Sequence, residues 1–527
     1  MFRSRAFREW MVLGVFCAFL FFFGLSYFGL VGADEPRYAQ IAREMLLRHD
    51  WVTPVLGGVP WLEKPVLYYW QAMIAYRFFG VSDMAARLPS AFDATLMVVA
   101  VFLFFRKFRP GFQLDGALMV AASAAVIGFA RSASTDMPLA AMFTIAMIAW
   151  YAWHETSNKL WLALFYVFAG LGMLAKGPIA VFLAAVIIVV FAALRKDWRL
   201  IARTLWVPGI LLFCLVALPW YVMVQMRNPE FLRVFILQHN LERFGSNLYH
   251  HRQPFWFYLP VALLGLLPWT AFAIDALIVN VRVWWNERKN LQGEDVFGLF
   301  LLVWLIVPIV FFSISQSKLP GYILPALPAG SLLIADYLSR NVDQRLKTPV
   351  IVAHTLLTSA LIVPAFWISS IVMQHHLPLG RATAVLIAIT IGFAGLSILF
   401  LSKYGVRALR FATLAPLLIA VAAILKIGAP ALDDALSARP IAQQLAQQTN
   451  LPVAILQVRR EVEYGLHFYL NRNISRYELN QIPEGEHLVV ANEGMAGDVT
   501  KFDSGRKIIY LGNFPAQHLD FYWISAK

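Results

Sequence analysis

Apolar residues run in long, nearly unbroken blocks along the first four fifths of the chain. Thirteen blocks stand out, near 10–31, 84–105, 114–130, 137–153, 160–174, 178–194, 204–224, 256–279, 297–314, 321–338, 349–373, 381–402 and 407–428. A helix needs about 20 mainly apolar residues to cross the hydrocarbon of a bilayer, so each block predicts a membrane span. The fifth and sixth are parted only by Lys176-Gly177-Pro178, and form either two spans or one re-entrant pair. After Pro430 the pattern changes. Ala431–Thr449 predicts a helix, and Val453–Val458, His487–Ala491, Lys507–Leu511 and Phe521–Ile524 predict short strands. The expected fold is mainly α: a polytopic membrane protein of about thirteen transmembrane helices over 1–429, followed by a small α/β domain over 430–527.

Composition agrees. Of the 527 residues 60% are hydrophobic and 14% charged, against roughly 25% charged in soluble domains. Mean hydropathy is +0.64. The net charge of +13 would suggest nucleic acid in a soluble domain, but no basic stripe lies on one here. Instead Lys and Arg collect in alternate connections: Arg106, Lys107 and Arg109; Lys159; Arg195, Lys196, Arg199 and Arg203; Arg282, Arg288 and Lys289; Arg340, Arg345 and Lys347; Lys403, Arg407 and Arg410. With Arg3, Arg5 and Arg8 they define one side, which the positive-inside rule makes cytoplasmic. The other side then receives 32–83, 131–136, 175–177, 225–255, 315–320, 374–380 and the C-terminal region. The apolar stretch 10–31 is too long for a signal-peptide core and predicts an uncleaved first span. Cys17 and Cys214 both sit in apolar runs and suggest no disulfide. No Walker or Gly-rich nucleotide motif is present.

The outer segments hold the ionisable groups. Loop 32–83 opens Gly32-Ala33-Asp34-Glu35-Pro36-Arg37-Tyr38. A helix cap explains one carboxylate before a proline. It does not explain two carboxylates and an arginine where a span ends, since ionisable groups there are costly unless paired or used. The helix after Pro36 is amphipathic and is expected to lie in the interface, as is a second segment opened by Glu63-Lys64-Pro65. Glu63 and Lys64 could equally be a surface ion pair. Asp136 starts a span, where a cap is an equal explanation. Arg243 lies in loop 225–255, Lys318 precedes Pro320-Gly321-Tyr322, and His375 and His376 lie in another outer turn. Arg37, Lys64, Arg243 and Lys318 could hold a phosphate, with nearby carboxylates acting as base, sugar-hydroxyl acceptor or metal ligand.

Six motifs in series resemble the lipid A aminoarabinose transferases, which belong with the protein O-mannosyltransferases to the GT-C glycosyltransferases. They are Gly-Ala-Asp34-Glu35-Pro-Arg37-Tyr, Leu-Glu63-Lys64-Pro-Val-Leu-Tyr-Tyr-Trp, Ser-Thr-Asp136-Met-Pro, Ala-Lys176-Gly-Pro, Arg252-Gln-Pro-Phe-Trp-Phe-Tyr-Leu-Pro and Ser-Lys318-Leu-Pro-Gly-Tyr322. The resemblance implies an inverting transfer of a sugar, 4-amino-4-deoxy-L-arabinose or a related aminosugar, from undecaprenyl phosphate to lipid A at the periplasmic face of a bacterial inner membrane. It implies Asp34 and Asp136 as catalytic carboxylates, and Arg37, Lys64, Arg243 and Tyr322 as contacts of the carrier phosphate. Glu35 and Lys318 are further candidates. Glu63, with His375 or His376, resembles positions that hold a divalent metal. Alternatives are another polyprenyl-linked sugar, a protein hydroxyl acceptor, or a transporter of lipid-linked substrates. The transporter would call for inverted repeats and paired broken helices at mid-membrane, neither of which the sequence suggests.

Overall fold

The computed structural model describes residues 2–236, 253–287, 293–342, 346–373, 380–448 and 451–527. Among them, nine helices are long and apolar enough to cross a membrane, or up to eleven if each of two bent pairs is one span. The helices Asp136–Thr156 and Leu327–Arg340 are almost wholly enclosed, whereas Val207–Arg227 and Arg381–Tyr404 leave most of their residues unburied, as helices that face lipid require. The chain is an integral membrane protein.

Several expected spans differ from continuous helices, three of them most clearly. The first, α1 (Phe2–Cys17), continues as a π-turn over Ala18–Phe22 and stops. Residues 23–33 are irregular, with Gly24 and Gly32 at φ +69° and +67°. Open backbone at membrane depth is tolerated only where its polar groups find partners. Here two arginines supply them. Arg131 donates to the carbonyls of Leu20, Phe23 and Gly24, and Arg87 to those of Leu25, Phe28 and Gly29. The block 114–130 is two helices, Gln113–Ala121 and Ala124–Ala130, bent by 64°. The block 256–279 bends by 116° between Phe255–Gly265 and Thr270–Glu287. Pro268 sits in that break, where its missing N–H cannot continue the helical ladder. Lys159–Lys176 and Ile179–Arg195 are separate helices, divided at Gly177, whose φ is +93°.

Loop 32–83 forms α2 (Asp34–Leu47), a short antiparallel ribbon of β1 (Val55–Leu56) and β2 (Val59–Pro60), and α3 (Leu67–Phe79). The long helix α4 (Asp83–Phe108) follows, capped by the Ser82 hydroxyl, which accepts from the Ala85 amide at 3.2 Å. On α2, Tyr38, Ile41, Ala42 and Met45 are buried, as the amphipathic pattern requires. Its polar face, however, is not open to water as expected of an interfacial helix. The C-terminal region covers it.

That region is a five-stranded mixed sheet in the order β4-β3-β5-β7-β6, built from β3 (Val453–Leu456), β4 (Ser475–Arg476), β5 (His487–Asn492), β6 (Ile508–Phe514) and β7 (Leu519–Ile524). Alternate residues feed two cores. Val453, Ile455, Leu488 and Val490 pack on one face, and Ala454, Leu456, Val489 and Ala491 on the other. The expected helix 431–449 divides at Ser437 into Ala429–Leu436 and Arg439–Gln448, ahead of Pro440. A further helix, Arg460–Leu470, lies against α2.

Specific polar contacts fasten this region to the membrane part. Arg43 donates to the Phe468 carbonyl at 2.7 Å and to Asn471 Oδ1 at 3.0 Å. The Asp83 carboxylate accepts from Arg439 at 2.9 Å and from the Tyr469 hydroxyl at 2.6 Å. Gly29 approaches so closely that a Cβ there would sit 2.2 Å from Ser437 Oγ. Asp83→Ala would remove one acceptor of Arg439, which keeps the Asp433 carboxylate, and would take the acceptor of the Tyr469 hydroxyl. The expected result is a loss of about 1–3 kcal/mol, read as a lower midpoint in thermal unfolding and faster proteolysis of the C-terminal region.

Candidate active site

Six separate segments converge on one cavity of about 260 Å³, Phe129 of the helix Ala124–Ala130 among them. The first turn of α2 contributes Asp34, Arg37 and Tyr38, and the turn before α3 contributes Glu63 and Lys64. Thr135 and Asp136 come from the start of helix Asp136–Thr156, Lys176 from the end of helix Lys159–Lys176, and Leu319 to Tyr322 from the 3₁₀ turn Pro320–Ala326. The walls thus carry three carboxylates and three cations.

Each charged group has a structural reason for its place. Asp34 and Asp136 both begin helices, where the dipole favours negative charge. Lys176 ends one, where positive charge is favoured. Asp34 is paired with Arg37, and Asp136 with Lys176. Lys176 Nζ also lies 5.1 Å from the centroid of the Tyr322 ring. Gly321 lets the 3₁₀ turn close over this pair, since a Cβ there would be 3.0 Å from Asp136 Oδ1.

Arg37 is held by aromatic rings on three sides. Its guanidinium carbon is 5.1, 5.2 and 5.6 Å from the centroids of Tyr38, Trp61 and Tyr464. Burial opposes its charge, but Tyr38, Asp34 and Glu63 outweigh that, and the guanidinium is held above its ordinary pKa. Burial, aided by Asp34, pushes the Tyr38 phenol well above the tyrosine range, so its hydroxyl stays protonated. That hydroxyl accepts from Arg37 at 3.5 Å.

Asp34, Arg37, Glu63, Lys64, Asp136 and Tyr322, all expected at the site, are brought together here. Two candidates are not. Glu35 is buried away from the cavity lining and binds Arg87 and two backbone amides. Lys318 is likewise off the lining, with its ammonium donating to the carbonyls of Ser315 at 2.5 Å and Gln253 at 3.1 Å. Both placements have one cause: neighbours in sequence leave a helix start or a turn in different directions. Arg243, His375 and His376 lie outside the described residues. Among the described residues no group of three or more His, Cys, Asp and Glu side chains could hold a metal ion. Glu63 stands beside Arg37 on the cavity wall. Lys176 and Tyr38 line the cavity as well, although neither is among the residues expected at the site. A lysine before Gly-Pro at a span end was the available signal for Lys176.

The arrangement can bind an anionic head group and stabilise negative charge growing on a leaving oxygen, with carboxylates alongside. Residues 7–235 match the family described as dolichyl-phosphate-mannose-protein mannosyltransferase. The fold is also matched: the crystal structure of ArnT from Cupriavidus metallidurans bound to undecaprenyl phosphate superposes with a TM-score of 0.75, at 20% identity, over 97% of both chains, and its apo state with a TM-score of 0.74, at 21% identity, over 98% of both. The chain shares the fold of that structure. Curated relatives carry the name undecaprenyl phosphate-alpha-4-amino-4-deoxy-L-arabinose arabinosyl transferase. That of Pseudomonas fluorescens (strain Pf0-1) is 31% identical over 351 residues, 65% of this chain and 60% of the relative. That of Yersinia pestis (strain Pestoides F) is 34% identical over 315 residues, 58% of this chain and 54% of the relative. The matched stretch therefore spans less than two thirds of either relative's length.

Proposed function

We propose that this chain transfers an aminosugar, 4-amino-4-deoxy-L-arabinose or a close relative, from undecaprenyl phosphate to lipid A at the periplasmic face of the bacterial inner membrane. The observation that carries the reading is the convergence of Arg37, Lys64 and Lys176 with Asp34 and Asp136 around one cavity. The alternation of basic connections supports a cytoplasmic N-terminus and a periplasmic C-terminal domain. In this reading Arg37, Lys64 and Tyr322 hold the carrier phosphate. Fixed cations stabilise the negative charge that the phosphate gains as the sugar leaves. A lipid A phosphate acceptor is already ionised, so Asp34 orients it or stabilises positive charge at the sugar. A hydroxyl acceptor would instead require Asp34 to take a proton. The match of residues 7–235 to a protein mannosyltransferase family keeps that second acceptor class in view.

Mass spectrometry of lipid A from cells with and without the gene tests the proposal. The expected result is a pentosamine addition that disappears with the gene. A hexosamine addition would change the sugar, and unaltered lipid A would remove lipid A as the acceptor.

A further inference from the structure

Behind the cavity, one buried carboxylate joins two loops that no secondary structure connects. Glu35 follows Asp34 directly, yet its side chain is 8% exposed and lies off the cavity lining. Its Oε2 accepts from the Val31 amide at 2.9 Å and from Arg87 Nη2 at 2.6 Å, and its Oε1 accepts from the Ala133 amide at 3.0 Å. Val31 lies three residues before Asp34, and Ala133 three residues before Asp136. The same carboxylate therefore holds the approach to each aspartate.

Arg87, on α4, makes this hold rigid. It is 1% exposed and donates to the carbonyls of Leu25, Phe28 and Gly29 at 2.7, 2.8 and 2.7 Å. Its position thus couples the irregular stretch before α2 to the long helix α4, and through Glu35 to the loop before Asp136. A buried amide that loses its acceptor where water is scarce must move to find another. Either loop could shift by rotating a few backbone bonds, carrying its aspartate along.

The geometry points to Glu35, locked by Arg87, as a positioning residue that sets the separation of Asp34 from Asp136. It touches no reacting atom and acts through the two loops. A strut that only stabilises the fold would make the same contacts, so the two roles are separated by measurement. The kinetic part rests on the proposed transfer reaction, whereas the structural part does not.

The test uses the full-length protein in detergent, as wild type, Glu35→Gln and Glu35→Asp. A control is Asp336→Asn, which weakens another buried pair, with Arg109 and Arg340, away from the cavity. Hydrogen–deuterium exchange is read over 23–33 and 131–136, and transfer is assayed with undecaprenyl phosphate-linked aminosugar and lipid A. Glu35→Gln is expected to raise exchange in both segments together and to lower kcat about a hundredfold, with little change in the KM for donor. Glu35→Asp keeps the charge but is one methylene short, and is expected to fold and to show the same split. Asp336→Asn is expected to lower thermal stability with kcat per folded molecule intact. Unchanged kcat in both Glu35 variants, or exchange rising in one segment only, would overturn the assignment. If the wild type transfers nothing, the proposed reaction fails, and the paired exchange alone decides the role of Glu35.

Discussion

Asp34→Asn is expected to abolish most sugar transfer while the protein still folds and still binds undecaprenyl phosphate. The Asp34 side chain is 56% exposed and pairs with Arg37 one turn along α2. The carboxylate is the exposed partner, and Arg37 keeps Glu63 beside it and three rings around it, so the fold has little to lose. Catalysis has more. A carboxylate that moves a proton, or that faces positive charge developing at the sugar, is worth about 10²–10⁴ in rate. Asparagine keeps the shape and removes the charge. The variant should therefore show a wild-type unfolding midpoint, undiminished affinity for undecaprenyl phosphate, and a kcat lower by two to four orders of magnitude. Transfer at a wild-type rate would remove Asp34 from the reaction, and a large drop in the midpoint would reassign it to the fold.

Arg37→Ala should fail differently. Its guanidinium is 12% exposed and enclosed by Tyr38, Trp61 and Tyr464, so its orientation is set before any ligand arrives. Preorganised cations facing a leaving group are worth about 10²–10³ in rate when removed singly. They also bind the ground-state phosphate. Both kcat and affinity for undecaprenyl phosphate should therefore fall, which separates this variant from Asp34→Asn. Arg37→Lys should recover little, because an ammonium replaces neither the planar stacking nor the paired donors of the guanidinium. Titration of each variant with undecaprenyl phosphate, followed by single-turnover transfer, gives the two quantities. Equal affinity in wild type and Arg37→Ala would place the phosphate elsewhere in the cavity, nearer Lys64 or Lys176.

The enclosure of Arg37 also gives the C-terminal region a part in the site. Tyr464 belongs to the helix Arg460–Leu470, more than 400 residues along the chain from Arg37. The contacts of Asp83 with Arg439 and Tyr469 hold that helix against α2. Weakening them is therefore expected to reach the guanidinium through the loss of one of its three rings.

Much of this was legible in the chain itself. Apolar blocks of span length mark the membrane helices because lipid leaves the backbone no partner outside the helix. Short continuous apolar runs mark β3 and β5, because successive side chains enter opposite cores and both faces are buried. Asp34 and Arg37 could be singled out because charge at a span end needs a use, and Glu63, Lys64, Asp136 and Tyr322 through the motifs that resemble a known family. Tertiary structure alone decided the rest. Lys176 meets Asp136 forty residues away, Glu35 turns from the cavity to Arg87, and Arg43 meets Phe468 and Asn471 instead of water. Local pattern reports how a residue faces along its own helix. Which helix faces it depends on packing between distant segments, where Gly29 and Gly321 permit approaches that no spacing announces.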